Sequence, residues 1–236
     1  MKMSVGIIGG LGPEATSEFY LGLIKRSRKN CGSYPRIIID SISFPFSLEE
    51  EIIQKSKNEY KILPYLKDSV NKLNKIGVDF IVIPCNTVHI FIGQLGKLSR
   101  APILSILDET VKAVKAEGYK KIGLLATTKT IDSKLYETPL VENKVDVVVP
   151  EKSEQATVAK IILKILDGTA EKEDRKNLLK VVDNLVERGS ECILLGCTDI
   201  QSILNQYHLK TKLIDSLDVL ASATFDNLMG KDAKSY

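Results

Sequence analysis

The chain has 236 residues, 44% hydrophobic and 27% charged, which is long enough for a substantial core and ordinary for a globular protein. Its 33 basic and 30 acidic residues leave a net charge of +3, with the basic residues scattered, so neither nucleic acid nor an anionic membrane is an expected partner. No run approaches the roughly 18 apolar residues of a membrane span, and four cysteines without a secretion signal predict reduced thiols in the cytoplasm rather than a disulfide framework.

Residues 5–8 read as a buried strand. Gly9-Gly10-Leu11-Gly12-Pro13-Glu14-Ala15-Thr16 comes next as a glycine loop that opens a helix, with Pro13 near the first helical position, where its missing N–H costs little. Phe19, Leu21, Leu23 and Ile24 carry the helix on, and Lys25-Arg26-Ser27-Arg28-Lys29 is its solvated end. A second strand is predicted at 36–40, a loop at 41–47 and a short charged helix at 49–57. Ile62, Leu63, Leu66, Val70, Leu73 and Ile76 form an apolar stripe at helical period, with Pro64 tolerated in the first turn. Phe80-Ile81-Val82-Ile83 is a third strand. Pro84-Cys85-Asn86-Thr87-Val88-His89 succeeds it as a polar loop, and Ile90, Phe91, Ile92 and Leu95 continue at helical spacing. Cys85 is thereby expected at a strand's carboxyl end, just before a helix N-terminus whose unpaired N–H groups favour thiolate. A fourth strand at 103–106 and a helix at 108–117, closed by Gly118, end the first half.

The second half repeats this order. A strand at 121–126 leads into Thr127-Thr128-Lys129-Thr130 and a helix through Tyr136. A strand at 145–149, helices at 155–166 and 174–188, a strand at 212–215, a helix at 218–229 and a frayed tail at 230–236 complete the prediction. Between them, Gly189-Ser190-Glu191-Cys192-Ile193-Leu194-Leu195-Gly196-Cys197-Thr198-Asp199 matches the stretch from Gly77 without a gap and pairs Cys85 with Cys197. Gly6 pairs with Gly123 and Asp108 with Asp218, so the three offsets are 117, 112 and 110 residues, near enough to constant for a duplication. We therefore expect two related α/β lobes, each a parallel sheet with helices on both faces. Ligands of such sheets bind beyond the carboxyl ends of the strands, so a pseudo-twofold axis is expected to set Cys85 and Cys197 on opposite walls of one cleft.

Cys192, inside a strand, and Cys31 fit the role of buried structural cysteines. Cys85 and Cys197 do not, because they stand at equivalent loop positions among Asn, Thr and Asp. With only His89 and His208 and no Cys-x-x-Cys, no metal site is expected. A redox disulfide is an alternative, although such partners usually lie close in sequence. A single cysteine nucleophile needs a histidine base and leaves the second sulfur surplus. Two-base proton transfer uses both sulfurs: one removes a proton from a tetrahedral carbon and the other returns one from the opposite face. Gly10-Leu11-Gly12-Pro13-Glu14-Ala15, with Asp40 after the next strand, also fits a dinucleotide fingerprint, which makes an NAD-dependent oxidoreductase the alternative from another class. The amides at Gly10 and Gly12 equally suit a carboxylate. Thr127, Thr128 and Thr130 either line a polar cleft or serve as helix caps, with Thr130 or Asp132 as the capping residue. His89 either orients the Cys85 loop, tunes its thiol, or is a plain hydrogen-bonded helix histidine, and Asp199 reads as an N-terminal helix acid.

Gly6-Ile7-Ile8-Gly9-Gly10-Leu11-Gly12-Pro13-Glu14-Ala15-Thr16, Pro84-Cys85-Asn86-Thr87-Val88-His89 and Gly196-Cys197-Thr198-Asp199 together resemble the cofactor-independent aspartate/glutamate racemase family, its aspartate racemases above all. The resemblance runs nearly end to end and includes Gly123-Leu124-Leu125-Ala126-Thr127-Thr128. It implies two Rossmann-like lobes, each with a four-stranded parallel sheet, at 1–107 and 108–216, and a C-terminal helix at 217–236 that completes the first. It implies Cys85 and Cys197 as the acid–base pair acting on an amino acid, aspartate first, with a broader or glutamate specificity as the alternative. Asn86, Thr87, Thr130 and Thr198 would hold the α-amino and α-carboxylate groups, with Gly10, Gly12, Ser43, Thr127 and Lys172 also lining the substrate. Lys172 stands for a family lysine. Ser47 stands where aspartate racemases carry an arginine, Lys129 where a glycine is usual, and the loop around Ser43 resembles that of relatives with broader specificity. No pyridoxal phosphate and no metal are implied, and members are often homodimers.

Overall fold

The computed structural model describes residues 3–230, and the expected fraying of the tail falls largely on residues outside that span. The described residues form two four-stranded parallel sheets. The first contains β1 (Ser4–Gly9), β2 (Arg36–Ser41), β3 (Phe80–Val82) and β4 (Ile103–Leu104) in the order β2-β1-β3-β4. The second contains β5 (Lys121–Leu125), β6 (Asp146–Val148), β7 (Cys192–Leu195) and β8 (Lys212–Asp215) in the order β6-β5-β7-β8. The two orders are the same, which is the duplication written in strand topology. The helices are α1 (Pro13–Asn30), α2 (Phe46–Lys55), α3 (Leu63–Ile76), α4 (Ile92–Leu98), α5 (Ile106–Ala116), α6 (Thr128–Asp132), α7 (Glu137–Glu142), α8 (Lys152–Leu166), α9 (Lys172–Glu187) and α10 (Ser216–Leu228).

The chain divides into two compact units. The first is Met1–Pro45, Tyr60–Thr110 and Leu217–Tyr236, and the second is Phe46–Glu59 and Val111–Ser216. In the first, Val5, Ile7 and Ile8 of β1 and Ile81 of β3 are fully buried, and so are Phe19 and Leu23 of α1 and Leu66, Val70 and Leu73 of α3, the helix that contacts β1. Arg26 is not a freely solvated charge: it reaches α10, pairing with Asp218 at 2.7 Å and donating to Ser222 at 3.1 Å. In the second unit, Val158, Ile161 and Ile162 of α8 and Leu178, Val181 and Leu185 of α9 pack on Ile193 and Leu195 of β7. Ile53 of α2 joins that core, so the apolar stripe of α2 belongs with α8.

Several boundaries differ from those expected, each for a local reason. β4 is only two residues, and α5 begins at Ile106 because Ser105 caps it, its hydroxyl accepting from the Asp108 N–H at 3.2 Å. The single helix expected through Tyr136 is broken: α6 stops at Asp132, Lys134 takes φ 50°, and α7 begins at Glu137 with Pro139 in its first turn. α8 and α9 start earlier than expected because Glu151 with Glu154, and Glu171 with Asp174, close capping boxes.

Candidate active site

The sheet registers set the candidate residues at the strand ends. In the first unit Ile7 of β1 lies level with Val82 of β3, and Ile8 and Gly9 lie level with Asp40 and Ser41 of β2. Gly10, Gly12, Cys85, Asn86 and Thr87 therefore gather at the carboxyl edge of that sheet. Ser43 is in the exposed loop after β2. Gly10 has φ 79° and its amide donates to Thr16 Oγ1 at 3.1 Å, while that hydroxyl donates to the Gly12 carbonyl at 3.1 Å. Gly10 therefore contributes shape rather than its N–H, and Thr16 is the latch of the loop. Asp40, which the dinucleotide reading would give to a ribose, pairs with Lys72 at 3.4 Å.

Cys85 is half-buried, whereas Asn86 and Thr87 are buried. After Cys85 the chain enters a 3₁₀ turn, Thr87–Phe91, before α4. The expected α-helix N-terminus is thus displaced from the sulfur, and the dipole argument for thiolate weakens with it. His89 resolves one of the alternatives. Its Nδ1–H donates to the Cys85 carbonyl at 2.8 Å, and Nε2 accepts the N–H of Ile106, the first residue of α5, at 3.4 Å. Burial pushes its pKa down to about 4 despite that hydrogen bond. His89 is therefore a neutral strut between the Cys85 loop and α5, not the base for the thiol.

That strut makes stability depend on pH. The unfolded imidazole binds its proton near 6.5 and the folded one only near 4. Stability from this group is fully present above about 6.5 and is lost as pH falls toward about 4, by about 3 kcal/mol in all. Urea unfolding of wild type and H89N at pH 7 and pH 4.5 should show the shallower acid loss in H89N; equal slopes would refute it.

The second unit holds the other half of the candidates. Leu125 lies level with Leu195, so Thr127 and Cys197 end adjacent strands at one height. Thr127 caps α6, accepting the Thr130 N–H at 3.2 Å, and its hydroxyl donates to Thr130 Oγ1 at 3.0 Å. The cap is therefore Thr127, not Thr130 or Asp132. Thr127, Thr130 and Thr198 are all buried. Gln155 of α8, which sequence reasoning missed, donates to the Ala126 carbonyl at 3.0 Å and to Thr128 Oγ1 at 3.3 Å. It braces the threonine loop. The opposite end of α8 carries Lys164, paired with Asp174 at 2.8 Å, and Lys172 lies exposed at that second junction.

Cys197 is only 5% exposed, and its thiol lies 3.6 Å from Asp199 Oδ2. Only a 3₁₀ turn, Ile200–Ser202, comes after it, so Asp199 is not the acid of an α-helix but a carboxylate facing the sulfur. Cys192 behaves as expected of a structural cysteine: burial first, then the charges of Glu191 and Glu117, push its thiol up to about 12. Among the described residues no cluster of three or more His, Cys, Asp or Glu side chains is arranged to hold a metal ion, and no helix is long and apolar enough to cross a membrane.

The Asp/Glu/hydantoin racemase family profile matches residues 8–224. The chain is 30% identical over 225 residues to the broad specificity amino-acid racemase RacX of Bacillus subtilis, spanning 93% of this chain and 96% of that one. The aspartate racemase of Picrophilus torridus superposes with a TM-score of 0.80 at 26% identity, covering 96% of this chain and 94% of that one. An aspartate racemase homologue from Pyrococcus horikoshii OT3 superposes at 0.79 with 27% identity, covering 97% of this chain and 100% of that one.

Proposed function

Because the chain belongs to the Asp/Glu/hydantoin racemase family and is an amino-acid racemase, we propose that it interconverts L- and D-aspartate by two-base proton transfer through Cys85 and Cys197. One observation carries this reading: two thiols occupy equivalent strand ends in two sheets of the same strand order. One thiolate takes the Cα proton and the other thiol delivers a proton to the opposite face. The roles exchange for the other enantiomer. Negative charge grows on the substrate carboxylate as the proton leaves, and Asn86, Thr87, Thr130 and Thr198 supply donors for it, with Thr127 holding Thr130 in place. Thiol pair and donors together provide acid, base and charge stabilisation, so the scheme contains no cofactor. Aspartate is named because the relatives of solved structure include an aspartate racemase. A broader amino-acid specificity is the second reading, favoured by the Bacillus relative's printed name. The oxidoreductase alternative draws no support from these relatives.

The test is incubation of L- and D-aspartate, separately, in D₂O without added cofactor. Proton NMR should show loss of the Cα signal from both enantiomers, and a chiral assay should show each forming the other. Exchange without any inversion, or no exchange with aspartate, would refute the proposal. A panel of neutral and acidic amino acids in the same assay separates the two specificities.

A further inference from the structure

A charged residue in a loop at a strand's carboxyl end is well placed to read the charge of a substrate side chain. Among the described residues between each strand's last residue and the end of the first helical turn it leads into, the lysines and arginines are Lys129 and Lys152. Lys152 is exposed at the start of α8. Lys129 is different: it stands between Thr127 and Thr130, its side chain is only 17% exposed, and its ammonium lies 2.6 Å from Glu59 Oε1. Glu59 comes from the chain segment that joins the second unit, and its side chain is 26% exposed. The hydrogen bond from Lys129 holds the Glu59 carboxyl below its usual range, so Glu59 is held as the carboxylate.

An ammonium has three donors, and one Glu59 oxygen engages one of them. The pair is partly withdrawn from water, so what happens to its net charge is felt by its neighbours. Lys129 itself lies in the first turn of α6, directly before Thr130, whose hydroxyl the proposed function assigns to the substrate. Resting on that assignment, we infer that Lys129 reads the charge on the substrate side chain, and that Glu59 is a resident carboxylate competing with the substrate's second carboxylate for the same ammonium. A neutral side chain leaves the pair undisturbed. An acidic one must share Lys129 with Glu59. The pair thus sets how strongly the enzyme discriminates an acidic side chain from its neutral isostere.

Aspartate and asparagine differ in little but that charge, so their ratio is the readout. In E59Q the competitor is neutral, and kcat/KM for aspartate relative to asparagine should rise roughly tenfold or more. In K129M the same ratio should fall by roughly tenfold or more. Binding of D-aspartate and D-asparagine to C85S, with and without E59Q or K129M, reads the same ratio without turnover. Ratios that stay constant in both variants overturn the inference, including the case in which both substrates weaken equally because the pair is only a structural latch. Should the wild type exchange no Cα hydrogen at all, the racemase mechanism falls, but the binding ratio still decides the role of Lys129.

Discussion

Replacing Cys85 by serine is expected to lower net interconversion of the aspartate enantiomers by roughly 10³-fold or more, and replacing Cys197 by serine should do the same. A serine hydroxyl fills nearly the same space but stays protonated in the working range, so the variant keeps its fold and loses a base. The two variants should fail differently. With Cys197 intact, C85S should still exchange the Cα hydrogen of one enantiomer with D₂O while forming little of the other. C197S should show the mirror preference. That crossed pattern distinguishes two bases from one nucleophile, because a nucleophile's loss would silence both enantiomers together. It also separates the pair from Cys192, whose thiol remains protonated; C192S should leave the exchange pattern as in wild type. Two single variants that both racemise at close to the wild-type rate would sink the mechanism.

The strands were the most legible part of the chain. β1, β3, β5 and β7 are short apolar runs bounded by glycine or polar residues, and runs of that length have few other ways to be buried. The internal repeat then placed Cys85 and Cys197 at equivalent ends, which the common strand order bears out. The elements that escaped are those decided by tertiary or capping contacts. α7 was hidden by Pro139, which reads as a breaker yet costs little in a first turn. The α-helix expected after Cys197 is only a 3₁₀ turn, Ile200–Ser202, held by the carbonyl of Asp199. Leu48, Ile52 and Ile53 are visible as an apolar stripe, but nothing in a stripe says which core it enters. The same limit applies to side chains of the site. His89 was seen as a candidate orienter, yet its bond to Ile106 spans 17 residues and its neutral state depends on burial. Gln155 reaches back 29 residues to Ala126, and Lys129 reaches back 70 to Glu59. Such pairings come from strand order and helix placement, not from spacing.

Gly10→Ala is expected to be the most damaging single methyl addition at the candidate site. Two costs combine there. Gly10 sits at φ 79°, where an L-residue pays about 1–2 kcal/mol. A Cβ would also stand 2.4 Å from the Ile42 carbonyl oxygen and 2.9 Å from the Ile42 nitrogen. Both are backbone atoms, and Ile42 is tied to β1 by its N–H bond to the Gly9 carbonyl at 3.0 Å, so they cannot step aside without spreading β1 from β2. Gly77 supplies the control. Its φ is 74°, nearly the same, but nothing lies within 4 Å of its added Cβ. Gly77→Ala should therefore cost only the backbone penalty of about 1 kcal/mol and lower Tm by about 2–4 °C with turnover unaffected. Gly10→Ala should cost about 3 kcal/mol or more and shift the loop that Thr16 holds, so that racemisation falls even where the protein remains folded. Equal melting shifts in the two variants would mean that the clash at Ile42 is relieved freely. The β1–β2 edge would then not be the rigid wall on which the Gly10 loop rests.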